Sequence, residues 1–166
     1  MDKVLINING NDYKFIFGKQ LGQIPYTETL VQTLRERIGI TGTDEYCGEG
    51  YCGRCAVLIN GKVTASCMTL TSECAAKKIV TVEGLQNKET GELNPVQKVV
   101  LDYPGFQCQI CKPGIIMAAI SIFNKNPHPT ENEIREGLSG NYCRMQKECG
   151  IETQLVSHLL KYTNSK

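Results

Sequence analysis

Two strand-forming runs open the chain, Val4-Leu5-Ile6-Asn7-Ile8 and Tyr13-Lys14-Phe15-Ile16-Phe17, with Asn9, Gly10, Asn11 and Asp12 between them. Turn residues in that position predict a hairpin. Thr27 and Glu28 then precede Leu30, Val31, Leu34 and Ile38, which recur at helical spacing and stop before Gly39, so one helix is expected there. Further on, Ala56-Val57-Leu58-Ile59 and Lys62-Val63-Thr64 straddle Asn60-Gly61, the dipeptide best suited to the positive φ angles of a two-residue hairpin turn. Ile79-Val80-Thr81-Val82 reads as another strand. The first half of the chain is therefore expected to be a small mixed sheet packed on one helix.

From about residue 94 the period changes. Helices are predicted over Pro95 to Tyr103, Pro113 to Phe123, Thr130 to Leu138 and Glu152 to Tyr162, joined by loops rich in Gly, Pro and Asn. Pro95 and Pro113 stand where a first helical turn tolerates proline. Ile115, Ile116, Ala119, Ile120 and Phe123 form the stripe of a core-facing helix. Glu83 to Leu93, polar with two glycines, is the natural connector. The expected class is α+β, with one domain over residues 1–83 and a helical one over residues 94–166, and without internal repeats.

Composition narrows the function more than the fold. The 18 basic residues nearly balance 17 acidic ones, for a net charge of +1, which gives no electrostatic reason to expect nucleic acid or an anionic membrane as partner. The first residues lack a signal-like apolar stretch, and the apolar run Ile115 to Ile122 is too short to span a bilayer. A cytoplasmic, soluble protein is expected. With only His128 and His158 as histidines, histidine-based catalysis and His-rich metal sites have little to work with, and both are read as structural.

Nine cysteines in 166 residues then decide the chemistry. In a reducing compartment they point to metal or redox work rather than to disulfides. Cys47, Cys52 and Cys55 followed by Cys67 have the C-x4-C-x2-C…C spacing of plant-type [2Fe-2S] centres, with eleven residues between the last two. Gly48, Gly50 and Gly53 let the loop's backbone approach a cluster and turn its N–H groups toward anionic sulfurs. A structural zinc site is the alternative, although zinc usually pairs two short C-x2-C units across a gap. Cys74 lies outside the spacing and is read as a small buried hydrophobe. Arg54, inside the loop, is open to a solvated role or to partner docking and cluster tuning.

Downstream, Gln107-Cys108-Gln109-Ile110-Cys111-Lys112-Pro113-Gly114 and Gly140-Asn141-Tyr142-Cys143-Arg144 complete an order of pieces, including Asn94-Pro95-Val96-Gln97, that resembles the small iron–sulfur subunit of the molybdenum hydroxylases. That family includes xanthine dehydrogenase, aldehyde oxidoreductase, nicotinate dehydrogenase and carbon monoxide dehydrogenase, and the resemblance covers nearly the whole chain. It implies a plant-ferredoxin-like β-grasp domain followed by a four-helix domain holding a second [2Fe-2S] cluster. It also implies two partners: a large subunit with molybdopterin, and a medium subunit with FAD. Electrons then run from molybdopterin through the helical-domain cluster to the ferredoxin-type cluster and on to the flavin. Gln107 matches a residue that reaches the partner's pterin in the family; the alternative is a helix-end glutamine bonded to local backbone.

Physically, Cys111 ahead of Lys112-Pro113-Gly114 places a ligand at a helix N-terminus, which favours an anionic cluster. The family pattern Gly-Asn-x-Cys-Arg-Cys-Thr-Gly-Tyr is broken here, because Cys143-Arg144 is followed by Met145-Gln146-Lys147-Glu148 before Cys149. Four inserted residues would put Cys149 at the fourth-ligand position, beside Cys108, Cys111 and Cys143, and this alignment is favoured. The rival puts Met145 there, a poor thioether donor for ferric iron. Gln109 and Lys112 also depart from the family's usual glycine and threonine. The function expected is electron transfer within an oxidoreductase complex, with no substrate chemistry on this chain. A free-standing ferredoxin-like carrier, a relay subunit of a divergent non-molybdenum oxidoreductase, and a zinc-binding interaction module are the alternatives.

Overall fold

Asn9 and Gly10, at φ 53° and 80°, close the first hairpin in two residues, which is the turn whose twist matches its strands. The computed structural model describes residues 3–164. In it β1 (Lys3–Ile8) pairs antiparallel with β2 (Asn11–Ile16), Ile8 facing Asn11. Asn11 and Asp12 thus belong to the strand and not to the turn. Asn60 and Gly61, at φ 50° and 84°, do the same for β3 (Ala56–Ile59) and β4 (Lys62–Ala65). β5 (Lys78–Val80) lies between the hairpins, parallel to β1 and antiparallel to β3, giving the order β2-β1-β5-β3-β4. It ends at Val80 because Thr81 bonds to Asn9 and a 3₁₀ turn begins at Val82.

The helix on this sheet, α1 (Leu30–Gln32), starts later than Thr27. Its cap is Thr29, whose hydroxyl accepts from the Gln32 amide while Gln32 Oε1 accepts from the Thr29 amide, a reciprocal capping box. It continues as a π-helical segment, Thr33–Ile38, closed by Gly39 at φ 81°. Ile6, Ile8, Leu30, Leu34, Val57, Cys74 and Ile79 make the core between helix and sheet.

β3 is buried on both faces. Val57 points into that first core, while Ala56 and Leu58, one residue to either side, point into a second, as the two-residue period of a strand requires. The second core is helical: α2 (Pro95–Asp102), α3 (Lys112–Lys125), α4 (Glu131–Leu138) and α6 (Val156–Asn164) contribute Val96, Val100, Ile115, Ile134 and Leu159. α3 is buried nearly all round because it lies between β3 and its helical neighbours. The last helix is entered through a π-helical turn, Ile151–Leu155. A short helix absent from the sequence expectation, α5 (Gln146–Cys149), precedes it. The molecule is α+β, and no helix among the described residues is long and apolar enough to cross a membrane.

Candidate metal centres

Within the loop 47–55, three glycines stand at positive φ, 67° at Gly48, 70° at Gly50 and 70° at Gly53. That path turns amides inward: Cys47 Sγ accepts from the N–H of Glu49 at 3.5 Å and of Cys52 at 3.4 Å. The Glu49 amide, helped by those of Cys52 and Tyr51, lowers the Cys47 thiol to about 7. Arg54 N–H serves Cys52, and Gly50 N–H serves Cys67. Cys67 comes from the 3₁₀ turn after β4, and its sulfur lies 3.3 Å from that of Cys55. The thiols thus meet as two pairs, Cys47 with Cys52 and Cys55 with Cys67.

Burial pushes the Cys67 thiol up to about 12, with Cys55 beside it adding to the rise. Such a group becomes a thiolate only against a cation. Four soft sulfur donors, paired, with inward amides ready to offset negative charge, fit a [2Fe-2S] group.

A second group forms from the cysteines of the helical half. Cys111 caps the start of α3, Cys108 lies three residues before it, Cys143 follows α4, and Cys149 ends α5. Burial pushes Cys111 up to about 12, and the nearby Cys143 thiol adds to this, with Cys108 and Cys149 also in electrostatic reach. Cys143 is within hydrogen-bonding reach of both Cys111 and Cys149. Cys149 is fully buried; its sulfur accepts from the Gln107 amide at 3.4 Å and its carbonyl from the Tyr103 hydroxyl at 2.7 Å. Residues 146–149 therefore make one helical turn, closed by Gly150 at φ 59°, that returns the chain to the group. Met145 packs on the helical core and lines the cavity shared by Cys108, Cys111 and Cys143.

The two groups are joined directly. Tyr142 N–H donates to the Cys52 carbonyl at 3.0 Å, linking the residue before Cys143 to a first-loop cysteine. The rings of Tyr51 and Tyr142 pack 5.6 Å apart. A Cβ at Gly114 would stand 2.2 Å from the Gly53 carbonyl oxygen, and one at Gly53 would meet Gly140 O and Asn141 Nδ2 at 2.5 Å. Only glycine allows the cysteine loop and the start of α3 to approach so closely.

Comparison with known proteins points to iron–sulfur chemistry. A family model described as 2Fe-2S iron-sulfur cluster binding domain matches residues 27–101, and one described as [2Fe-2S] binding domain matches residues 81–153. A probable xanthine dehydrogenase subunit of Bacillus subtilis is 38% identical over 82% of this chain and 80% of its own length. The chain belongs to the iron–sulfur subunits of the molybdenum hydroxylases. The nicotinate dehydrogenase small FeS subunit of Eubacterium barkeri is 36% identical over 87% of each chain. Among solved structures, quinoline 2-oxidoreductase from Pseudomonas putida matches with a TM-score of 0.77 at 32% identity, covering 99% of this chain and 96% of that one. Aldehyde oxidoreductase from Desulfovibrio gigas matches at 0.80 and 28%, over 98% of this chain and 17% of a longer one.

In this iron–sulfur subunit the other singled-out residues fall as follows. The Gln107 side chain is exposed and donates to the Gly105 carbonyl at 3.4 Å, while its amide serves Cys149. Lys112 is buried, its ammonium 4.9 Å from the centre of the Phe106 ring. His128 is exposed, and His158 bonds to the Val99 carbonyl and packs on Tyr103. Cys74 lies in the first core, raised to about 11 chiefly by burial. Sequence reasoning missed Tyr103, Tyr142 and Gly114. Only Gly114 left a signal, a glycine in a helical first turn where propensity disfavours it.

Proposed function

We propose that this subunit carries two [2Fe-2S] clusters, one on Cys47, Cys52, Cys55 and Cys67 and one on Cys108, Cys111, Cys143 and Cys149. In this reading it relays electrons from a molybdopterin-binding large subunit to an FAD-binding medium subunit. When bound, each cluster accepts and returns one electron at a time. The chain's own work is to hold the groups close, keep water from most of the sulfurs, and present amides to them. The reading rests above all on one observation: two sets of four thiols converge on either side of the hydrogen bond from Tyr142 N–H to the Cys52 carbonyl.

The same proposal divides the chain into a ferredoxin-like β-grasp unit over residues 1–83 and a four-helix unit over residues 94–166. The partners are inferred from relatives named as subunits of xanthine and nicotinate dehydrogenases. Gln107 is free to leave the Gly105 carbonyl and meet a pterin, since its side chain is exposed. Nine unpaired cysteines favour a reducing, cytoplasmic setting. The decisive assay is iron and acid-labile sulfide on anaerobically purified protein, with low-temperature EPR after reduction. About four irons per chain and two rhombic signals are expected; about two irons and one signal would confine the redox chemistry to the first loop.

A further inference from the structure

Arg54 stands between two cysteines of the first loop, and its amide serves Cys52. Its side chain leaves that loop and lines one cavity with Cys108, Cys111 and Cys143. The side chain is 15% exposed. Nη2 bonds to Asp44 and the guanidinium lies 4.3 Å over the Tyr46 ring. Nε, in contrast, is buried with no hydrogen-bond partner among the described residues. A buried N–H without an acceptor is costly. Cys108, Cys111 and Cys143 line the same cavity, and their sulfurs, once anionic, would be acceptors there.

We propose that Arg54 is a positioning residue that sets the reduction potential of the second cluster from the loop of the first. This rests on the two-cluster reading above. A one-electron reduction adds negative charge to the cluster, and a fixed cation nearby favours the reduced form. Arginine keeps its proton at any accessible pH, and low exposure leaves its field little screened. Arg144 reaches the same cavity but is exposed to water, so its field is weaker there. Asp44, 36% exposed and also 3.7 Å from Arg35, offsets part of the Arg54 charge. The first cluster receives from Arg54 an amide that any side chain would keep.

The test is an EPR-monitored redox titration of both signals in the full chain, purified anaerobically with its clusters. Arg54→Met is expected to lower the second cluster's potential and shift the equilibrium between clusters at least tenfold, which is about 59 mV for a one-electron couple. Arg54→Lys keeps the charge and is expected to stay nearer the parent. Asp44→Asn removes the counter-charge and is expected to raise the second potential, and this readout stands even where Arg54→Met loads its clusters poorly. The proposal is overturned by an unmoved second potential, by a larger shift in the first signal, or by Asp44→Asn moving it down as loop loosening would. About two irons in the parent would remove the two-cluster reading as well; about four with unmoved potentials would remove this inference alone.

Discussion

Gly114→Ala sets two effects of opposite sign against each other. In a helix, alanine is favoured over glycine by about 1 kcal/mol, and Gly114 lies in the first turn of α3, so propensity alone predicts a more stable protein. The added Cβ, however, would stand 2.2 Å from the Gly53 carbonyl oxygen, 3.0 Å from its carbon and 3.2 Å from Arg54 Cα. Favourable carbon contacts begin at about 3.5 Å, and every atom met is backbone, which has no rotamer to yield. Either α3 or the cysteine loop must retreat. Overpacking costs about 1–3 kcal/mol, and contact with backbone at this distance puts it at about 2–3, so a net loss of about 1–2 kcal/mol remains after the propensity gain. For a chain of this size that lowers the melting temperature by about 2–8 °C. Urea and thermal unfolding should show the loss. Gly140→Ala, at the same junction but with nothing within 4 Å of the added Cβ, should stay within about 0.5 kcal/mol of the parent. A Gly114→Ala protein at least as stable as the parent would refute the argument that the loop and helix need a glycine to approach.

Cys149→Ser should abolish the second EPR signal and spare the first, while Met145→Leu should keep both; the reverse pattern would move the fourth ligand to Met145. Tyr103→Phe strips the Cys149 carbonyl of its 2.7 Å donor, at a cost of about 1–2 kcal/mol, and should hasten iron loss from the second site to a chelator; unchanged release would deny that role. Glu28 is raised by burial but lowered more by hydrogen bonds from Arg37 and Thr33, so its carboxyl lies below 4.5 on balance. Its charged form therefore adds stability that is complete above the unfolded value of 4.5 and is lost as pH falls through the lower folded value. Glu28→Gln should flatten that part of the urea-midpoint profile as pH falls below 4.5, and an identical slope in both proteins would contradict the assignment.

The elements legible in the sequence were those set by local chemistry. Asn60-Gly61 specified its hairpin turn because few other dipeptides take positive φ twice, and Pro95 marked the start of α2, where Asn94 supplies the cap. Caps between similar residues were harder: Thr27 and Thr29 are alike in type, and Thr29 wins because Gln32 stands three residues on to complete the capping box. The turn Gln146–Cys149 was invisible to periodicity, since four residues carry no repeat.

The grouping of the first set of thiols could be read from spacing alone because its loop confines three of its four cysteines within nine residues, so that chain geometry leaves them little choice but to lie close. The second could not. Cys108 and Cys149 are far apart in sequence, and their meeting depends on α3, α4 and the turn at residues 146–149 packing round one core. The sequence by itself determined the α+β order of elements, the donor type and the family resemblance, all of which depend on residues near one another along the chain. Tertiary structure alone decided between the two alignments by bringing the Cys149 sulfur beside Cys143, and it alone decided that the Tyr142 amide meets the Cys52 carbonyl and that Arg54 lines the cavity of the second group. Those are contacts between distant segments, fixed by the way β3 buries both faces, and no local pattern encodes them.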